Sequence, residues 1–111
     1  MINLSDASLA ENERIDDLML KGRRIIQNKS EFCFAMDAAL LAHFPLYKKR
    51  WRALDLGTGA GAIPLIMCDE VSRVDALEIN PVMVDLAHRN VLLNGLEGRI
   101  KVTMGDFREI K

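Results

Sequence analysis

The chain has 111 residues, 50% of them hydrophobic and 28% charged, which fits one soluble globular domain with a modest core. Its net charge of −1 excludes a chain that holds nucleic acid by bulk charge alone. No apolar run approaches the ~18–20 residues of a membrane span, and Met1-Ile2-Asn3-Leu4-Ser5-Asp6 lacks the basic start and apolar stretch of a secretory signal, so a cytoplasmic protein without a membrane partner is expected.

Residues 1–12 are polar and aperiodic. Glu13 to Leu20 sets Ile15, Leu18 and Met19 at helical spacing, a short helix. Arg23-Arg24-Ile25-Ile26-Gln27 is β-prone, Asn28 to Glu31 is a turn, and Phe32-Cys33-Phe34 is β-prone again, which suggests a small hairpin. Asp37 is placed to cap a helix over Ala38 to Phe44, ended by Pro45. From residue 51 the pattern becomes strand–helix–strand–helix–strand: Arg52 to Leu56, Ala62 to Cys68, Arg73 to Glu78, Pro81 to about Leu93, and Arg99 to Met104. Pro81 suits a first helical turn and Asn94-Gly95 suits a helix end. Successive βα units imply a parallel sheet. The expected fold class is therefore α/β, three strands of a Rossmann-like parallel sheet (residues 51–111) preceded by a hairpin and helix (residues 1–50).

The charge is unevenly spread. Residues 1–52 carry nine Lys/Arg against seven Asp/Glu, and residues 53–111 carry six against nine. The basic residues cluster at Lys21-Gly22-Arg23-Arg24 and Lys48-Lys49-Arg50-Trp51-Arg52, as solvated loops or as phosphate contacts. Trp51 either covers the bottom of the sheet or stacks on a base. Cys33 and Cys68 fit no metal or disulfide spacing and are expected to be reduced and buried; no metal is expected. His43 and His88 lie in predicted helices as core or surface residues.

The chemistry concentrates in Leu54-Asp55-Leu56-Gly57-Thr58-Gly59-Ala60-Gly61-Ala62. A strand runs into three glycines and then a helix, whose first N–H groups are free to meet a polar or anionic ligand. Glu78 ends the next strand, where an acidic residue accepts from ribose hydroxyls, or is simply a polar strand end. Asp106 ends the third strand, placed either to accept from an adenine amino group or to cap a turn. Gly57, Gly59 and Ala62 also satisfy a dinucleotide pattern, so an NAD-dependent oxidoreductase is a competing reading. Asp55 two residues before the glycines and the third glycine at 61 favour the methyltransferase form.

Residues 13–111 resemble the bacterial tRNA adenine methyltransferases that modify the amino group of an adenosine beside the valine anticodon, and more widely the class I methyltransferases acting on amino groups. The similarity rests on Arg14-Ile15-Asp16-Asp17-Leu18, Ile25-Ile26-Gln27, Phe32 to Ala42, Leu54 to Pro64, Glu78-Ile79-Asn80-Pro81, Ala87 to Val91 and Asn94-Gly95-Leu96. The resemblance implies S-adenosylmethionine as cofactor, with Asp55, Gly57, Gly59 and Gly61 at its methionine end, Glu78 at the ribose and Asp106 at the adenine. Thr58, Ile79 and Phe107 complete the implied cofactor set, and Gln27 and Asp37 are implied at the pocket rim. RNA, and within that family tRNA, is the implied substrate. Methylation of a protein or a small molecule, and a catalytically silent cofactor-binding module, are the other readings. The family's Asn-Pro-Pro-Tyr-type motif, which grips the target amine, has no match here, since the prolines are Pro45, Pro64 and Pro81. The chain is thus expected to be the first half of the cofactor domain, inactive alone, with no residue assignable as catalytic. Its first sheet strand, with Ala53, Leu54 and Leu56, is expected to be an exposed edge through which the chain self-associates.

Overall fold

A computed structural model describes residues 9–18, 21–30, 48–106 and 108. Two strands come first, β1 (Glu13–Asp17) and β2 (Arg24–Asn28), paired antiparallel with Ile15 opposite Ile26. Lys21 and Gly22, both in the left-handed region (φ 51° and 71°), help turn the chain, and the Leu18 N–H closes onto the Arg23 carbonyl at 3.0 Å.

The segment expected as a helix over Glu13 to Leu20 is therefore a strand in residues 13–17, and β2 pairs backward with it. Residues 32–34, expected to be the partner of β2, lie outside the described residues, as do the expected Asp37 cap, the helix over 38–44 and His43. The misreading has a physical cause. A strand alternates inward and outward residues, and Glu13 occupies an inward position beside Ile15. A charge there hides the period of two, and it is made tolerable by Arg89, 76 residues away, together with the Ala10 N–H.

The second unit is a three-stranded parallel sheet in the order β3 (Arg52–Leu56), β4 (Arg73–Glu78), β5 (Ile100–Met104). Helix α1 (Ala62–Met67) connects β3 to β4 and passes into a 3₁₀ turn at Cys68–Glu70, one residue before the expected end. Helix α2 (Pro81–Leu93) connects β4 to β5. The Asn80 side chain accepts from the Val82 N–H at 3.0 Å, capping α2, and Pro81 follows at the first helical position. At the other end Gly95 is left-handed (φ 67°); Gly95 N–H bonds the Leu92 carbonyl and Leu96 N–H bonds that of Val91, closing a Schellman turn.

One hydrophobic core serves both units. Ile25 and Ile26 of β2 are wholly buried and join Leu65, Val74, Leu86, Val91, Leu93, Ile100 and Val102. β2 packs against α2, which lies in turn on β4 and β5. The opposite face of the sheet is open: Leu54 and Leu56 are 56% and 48% exposed. β3 is an edge strand among the described residues, as expected from the sequence.

The first basic cluster is neither a solvated loop nor a phosphate site throughout. Arg23 is buried and donates to the Leu65 carbonyl at 2.5 Å and to Asp69 at 2.7 Å; Lys21 also bonds Asp69, at 2.8 Å. Arg99 reaches the Cys68 carbonyl and Lys49 that of Asp69. These cations gather where the α1 segment leaves carbonyls without intrahelical partners. Hydrogen bonds from Lys21 and then Arg23 hold the Asp69 carboxyl down at about 2. Trp51 is half-exposed, with the Lys48 ammonium 5.6 Å from its ring centre.

Candidate functional site

The C-terminal ends of β3, β4 and β5 form a cavity of about 330 Å³, lined by Gly57, Leu77, Glu78, Ile79, Gly105, Asp106 and Arg108. In open parallel sheets this end is where ligands bind. The volume lies at the small end of the usual range of roughly 300–1,000 Å³ for ligand pockets.

The glycine loop closes one side. Gly57 and Thr58 donate to the Leu77 carbonyl at 2.8 and 3.0 Å, which pins the loop to the end of β4. Gly57 has φ 73°, and nothing lies within 4 Å of where its Cβ would be, so this glycine turns the chain while leaving the cavity side clear. Gly61 has a different task. It is the left-handed N-cap of α1 (φ 89°), buried, with Ala87 of α2 3.6 Å from the position of a Cβ. It sits against α2 and does not line the cavity as Gly57 does.

Glu78 holds the loop from the next strand. One carboxylate oxygen accepts from the Gly59 N–H at 2.8 Å, and the other accepts from Ile79 and Asn80 N–H at 3.1 and 3.0 Å. A carboxylate has about four lone-pair sites, so three are engaged within the protein. Asp55 stands on β3 opposite Ala76, and its Oδ2 is buried without a hydrogen-bond partner among the described residues; the same holds for Thr58 Oγ1. Burial pushes the Asp55 carboxyl above its ordinary value. The neighbouring Thr58 hydroxyl opposes that rise, and the Glu78 charge adds to it.

Asp106 closes the far side of the cavity. It accepts from the Arg108 backbone N–H and Nε, each at 2.9 Å, and Arg108 holds its carboxyl below the usual range. Ile79 is 58% exposed at the lip. The cavity thus brings together Gly57, Glu78, Ile79 and Asp106 of the residues singled out in the sequence. Asp55, Thr58, Gly59 and Gly61 form the loop and its support, and Phe107 lies outside the described residues. Gln27, implied at the rim, is buried and donates to Asp16 at 2.6 Å. Sequence reasoning missed Arg108, and Asn90, which donates to the Ala60 carbonyl at 2.8 Å from within α2.

Residues 48–111 match the TRM5/TYW2 methyltransferase domain family, more than half of the chain. The chain belongs to this family. That match, which includes the glycine loop, favours the methyltransferase form over the dinucleotide reading. A ribosomal protein uL3 glutamine methyltransferase of Bordetella pertussis is 31% identical over 91 residues, covering 78% of this chain and 30% of that protein. The structure of Methanocaldococcus jannaschii Trm5 in complex with adenosine superimposes with a TM-score of 0.73 at 21% identity, covering 90% of this chain and 32% of that one. That of the M. jannaschii tRNA m1G37 methyltransferase gives 0.72 at 23%, with 90% and 32% covered. The chain therefore spans about a third of the length of these TRM5/TYW2-like and related proteins, and the Rossmann-like class I methyltransferase fold is shared with them.

Proposed function

We propose that this TRM5/TYW2-type domain binds S-adenosylmethionine and that the whole protein transfers its methyl group to a nitrogen in RNA. The observation that carries the reading is the family match across residues 48–111, laid on a cavity whose walls are the glycine loop, Glu78 and Asp106.

The residues present fit such a cofactor. Asp55 Oδ2 and Thr58 Oγ1 are buried oxygens with no well-formed hydrogen bond among the described residues, although the Thr58 hydroxyl stands close enough to Asp55 to stabilise its charge, and buried polar atoms nearly always have a full partner. A donor such as the cofactor's ammonium suits them once the loop admits it. Glu78 has one lone-pair site left for a ribose hydroxyl; taking a second requires releasing one of the three N–H groups it now holds. Leu77 and Ile79 offer apolar contact to a purine, and Asp106 keeps acceptor capacity for its amino group while paired with Arg108. S-adenosylmethionine supplies an activated methyl on a sulfonium, so the protein's task is alignment rather than acid–base chemistry.

An adenine amino group in tRNA is the acceptor we favour, because the resemblance of residues 13–111 points there. Glutamine of a ribosomal protein is the second reading, raised by the Bordetella relative. A cytoplasmic location accords with the free, buried Cys68, and among the described residues no helix is long and apolar enough to cross a membrane. Calorimetry with S-adenosylhomocysteine and with NAD tests the cofactor: binding of the first and not the second is expected, and a preference for NAD overturns the reading. Transfer of labelled methyl from S-adenosylmethionine by the full-length protein to tRNA, rather than to ribosomal protein, tests the acceptor.

A further inference from the structure

Asn90 sits in the middle of α2, wholly buried, yet its side chain touches two other parts of the molecule. Its Oδ1 accepts from the Ile26 N–H at 2.6 Å, and its Nδ2 donates to the Ile26 carbonyl at 3.0 Å and to the Ala60 carbonyl at 2.8 Å. Ile26 belongs to β2 of the hairpin. Ala60 lies in the glycine loop, next to Gly59, whose N–H is held by Glu78. We propose that Asn90 is a positioning residue that couples docking of the hairpin to the shape of the glycine loop, so that cofactor binding and hairpin order strengthen each other. This rests on the reading that the loop holds an S-adenosylmethionine-type cofactor.

The chemistry at this point requires a short primary amide. Two backbone carbonyls need donors and one N–H needs an acceptor, which is the inventory of an asparagine side chain. Aspartate would set oxygen against both carbonyls. Alanine would leave three buried backbone groups unpartnered. Glutamine carries an extra methylene into a position with no exposed surface.

Asn94, one turn later, provides an internal control. It pairs with β2 in the same manner, accepting from the Arg24 N–H at 2.9 Å and donating to the Arg24 carbonyl at 2.7 Å. Its remaining bond goes to the Asn90 carbonyl within α2, and none of its bonds goes to the glycine loop. Both asparagines hold the hairpin, and Asn90 alone of the two reaches the loop. The link is reciprocal: a ligand that orders the loop stabilises the hairpin, and loosening the hairpin through Asn90 weakens the ligand by the same factor.

Amide hydrogen exchange of the purified chain, with and without S-adenosylhomocysteine, reads the coupling directly. Exchange at the Ile26 N–H is expected to slow several-fold when ligand binds. Calorimetry on two variants separates positioning from general stability. Asn90→Ser is expected to weaken S-adenosylhomocysteine roughly tenfold, and Asn94→Ala less than about twofold, at a comparable loss of melting temperature. Binding by the wild-type chain with Ile26 exchange unchanged overturns the coupling, as does an Asn94→Ala variant that binds as poorly as Asn90→Ser. Failure of the full-length protein to bind at all overturns the cofactor reading and the coupling with it. If Asn90→Ser does not fold, the wild-type exchange measurement decides alone.

Discussion

The parallel sheet and the hairpin share a core but are held in it by different means. In the sheet each strand is joined to its neighbour by a continuous backbone ladder, and each connection is a helix whose ends are marked by local residues: Gly61 and Asn80 at the starts, Gly95 at a stop. Among the described residues the hairpin has a ladder only between its own two strands. The N–H and C=O groups of Arg24 and Ile26 point away from β1 and meet no strand of the described residues. Two asparagines at i and i+4 on α2 take the place of one, serving each residue's N–H and C=O. A buried strand edge can thus be satisfied by a helix, provided that helix places amide side chains one turn apart. On β1 the helix makes a different tie, a side-chain ion pair between Arg89 and Glu13 at 2.7 and 2.8 Å, with Glu13 nearly buried.

The comparison breaks most readily in the core. Leu86→Ala in α2 and Ile26→Ala in β2 each remove a buried side chain, and each is expected to cost about 2–5 kcal/mol. Because one cluster contains both, chemical denaturation of either variant should show a single transition. Two transitions, with the hairpin lost first in Ile26→Ala, would mean that residues before and after about 50 fold as separate units. The next largest effect is on binding. Glu78→Ala removes the acceptor of three backbone N–H groups as well as the proposed ribose contact, so S-adenosylhomocysteine affinity is expected to fall at least about tenfold by calorimetry, with a lowered melting temperature. An unchanged affinity would place the ribose elsewhere.

A smaller effect sharpens the contrast at the hairpin turn, where Lys21 and Arg23 clamp Asp69. This carboxyl is depressed in the folded chain, from 3.8 to about 2. Its contribution is therefore complete above pH ~4 and lost as the pH falls towards about 2. With screening it is worth on the order of 1 kcal/mol. Thermal melts of Asp69→Asn should lie below wild type at neutral pH and converge with it near pH 2; a constant difference across that window would remove the ion pairs from the account. The smallest effect on stability is at the open sheet edge. Leu54→Lys and Leu56→Lys are exposed positions where a change of about 0.5 kcal/mol or less is expected. They should nonetheless abolish self-association through β3, measured by analytical ultracentrifugation. A wild-type chain that sediments as a monomer would show that this edge does not recruit a second copy.

The parallel unit was legible in the sequence because its signals are local. β3, β4 and α2 fall at the expected residues, and the three glycines mark the loop that borders the cavity. Strand ends, helix caps and tight turns are set by residues within a few positions of one another, so a linear reading finds them. The placement of Glu78 and Asp106 at neighbouring strand ends follows from the same alternation. What the linear reading could not contain was how those carboxylates are already engaged, with three N–H groups on Glu78 and Arg108 on Asp106.

Tertiary structure alone decided the hairpin. The inward charge of Glu13 reads as an outward residue until Arg89 is placed beside it, and Arg23 reads as a surface cation until the Leu65 carbonyl and Asp69 surround it. Asn90 and Asn94 read as helix-weakening residues and a helix end until β2 lies alongside. These contacts join residues 42 to 76 positions apart. The physical reason is that periodicity records which residues face the core, whereas a buried polar group faces the core for the sake of one partner. The identity of that partner exists only once the chain has folded around it.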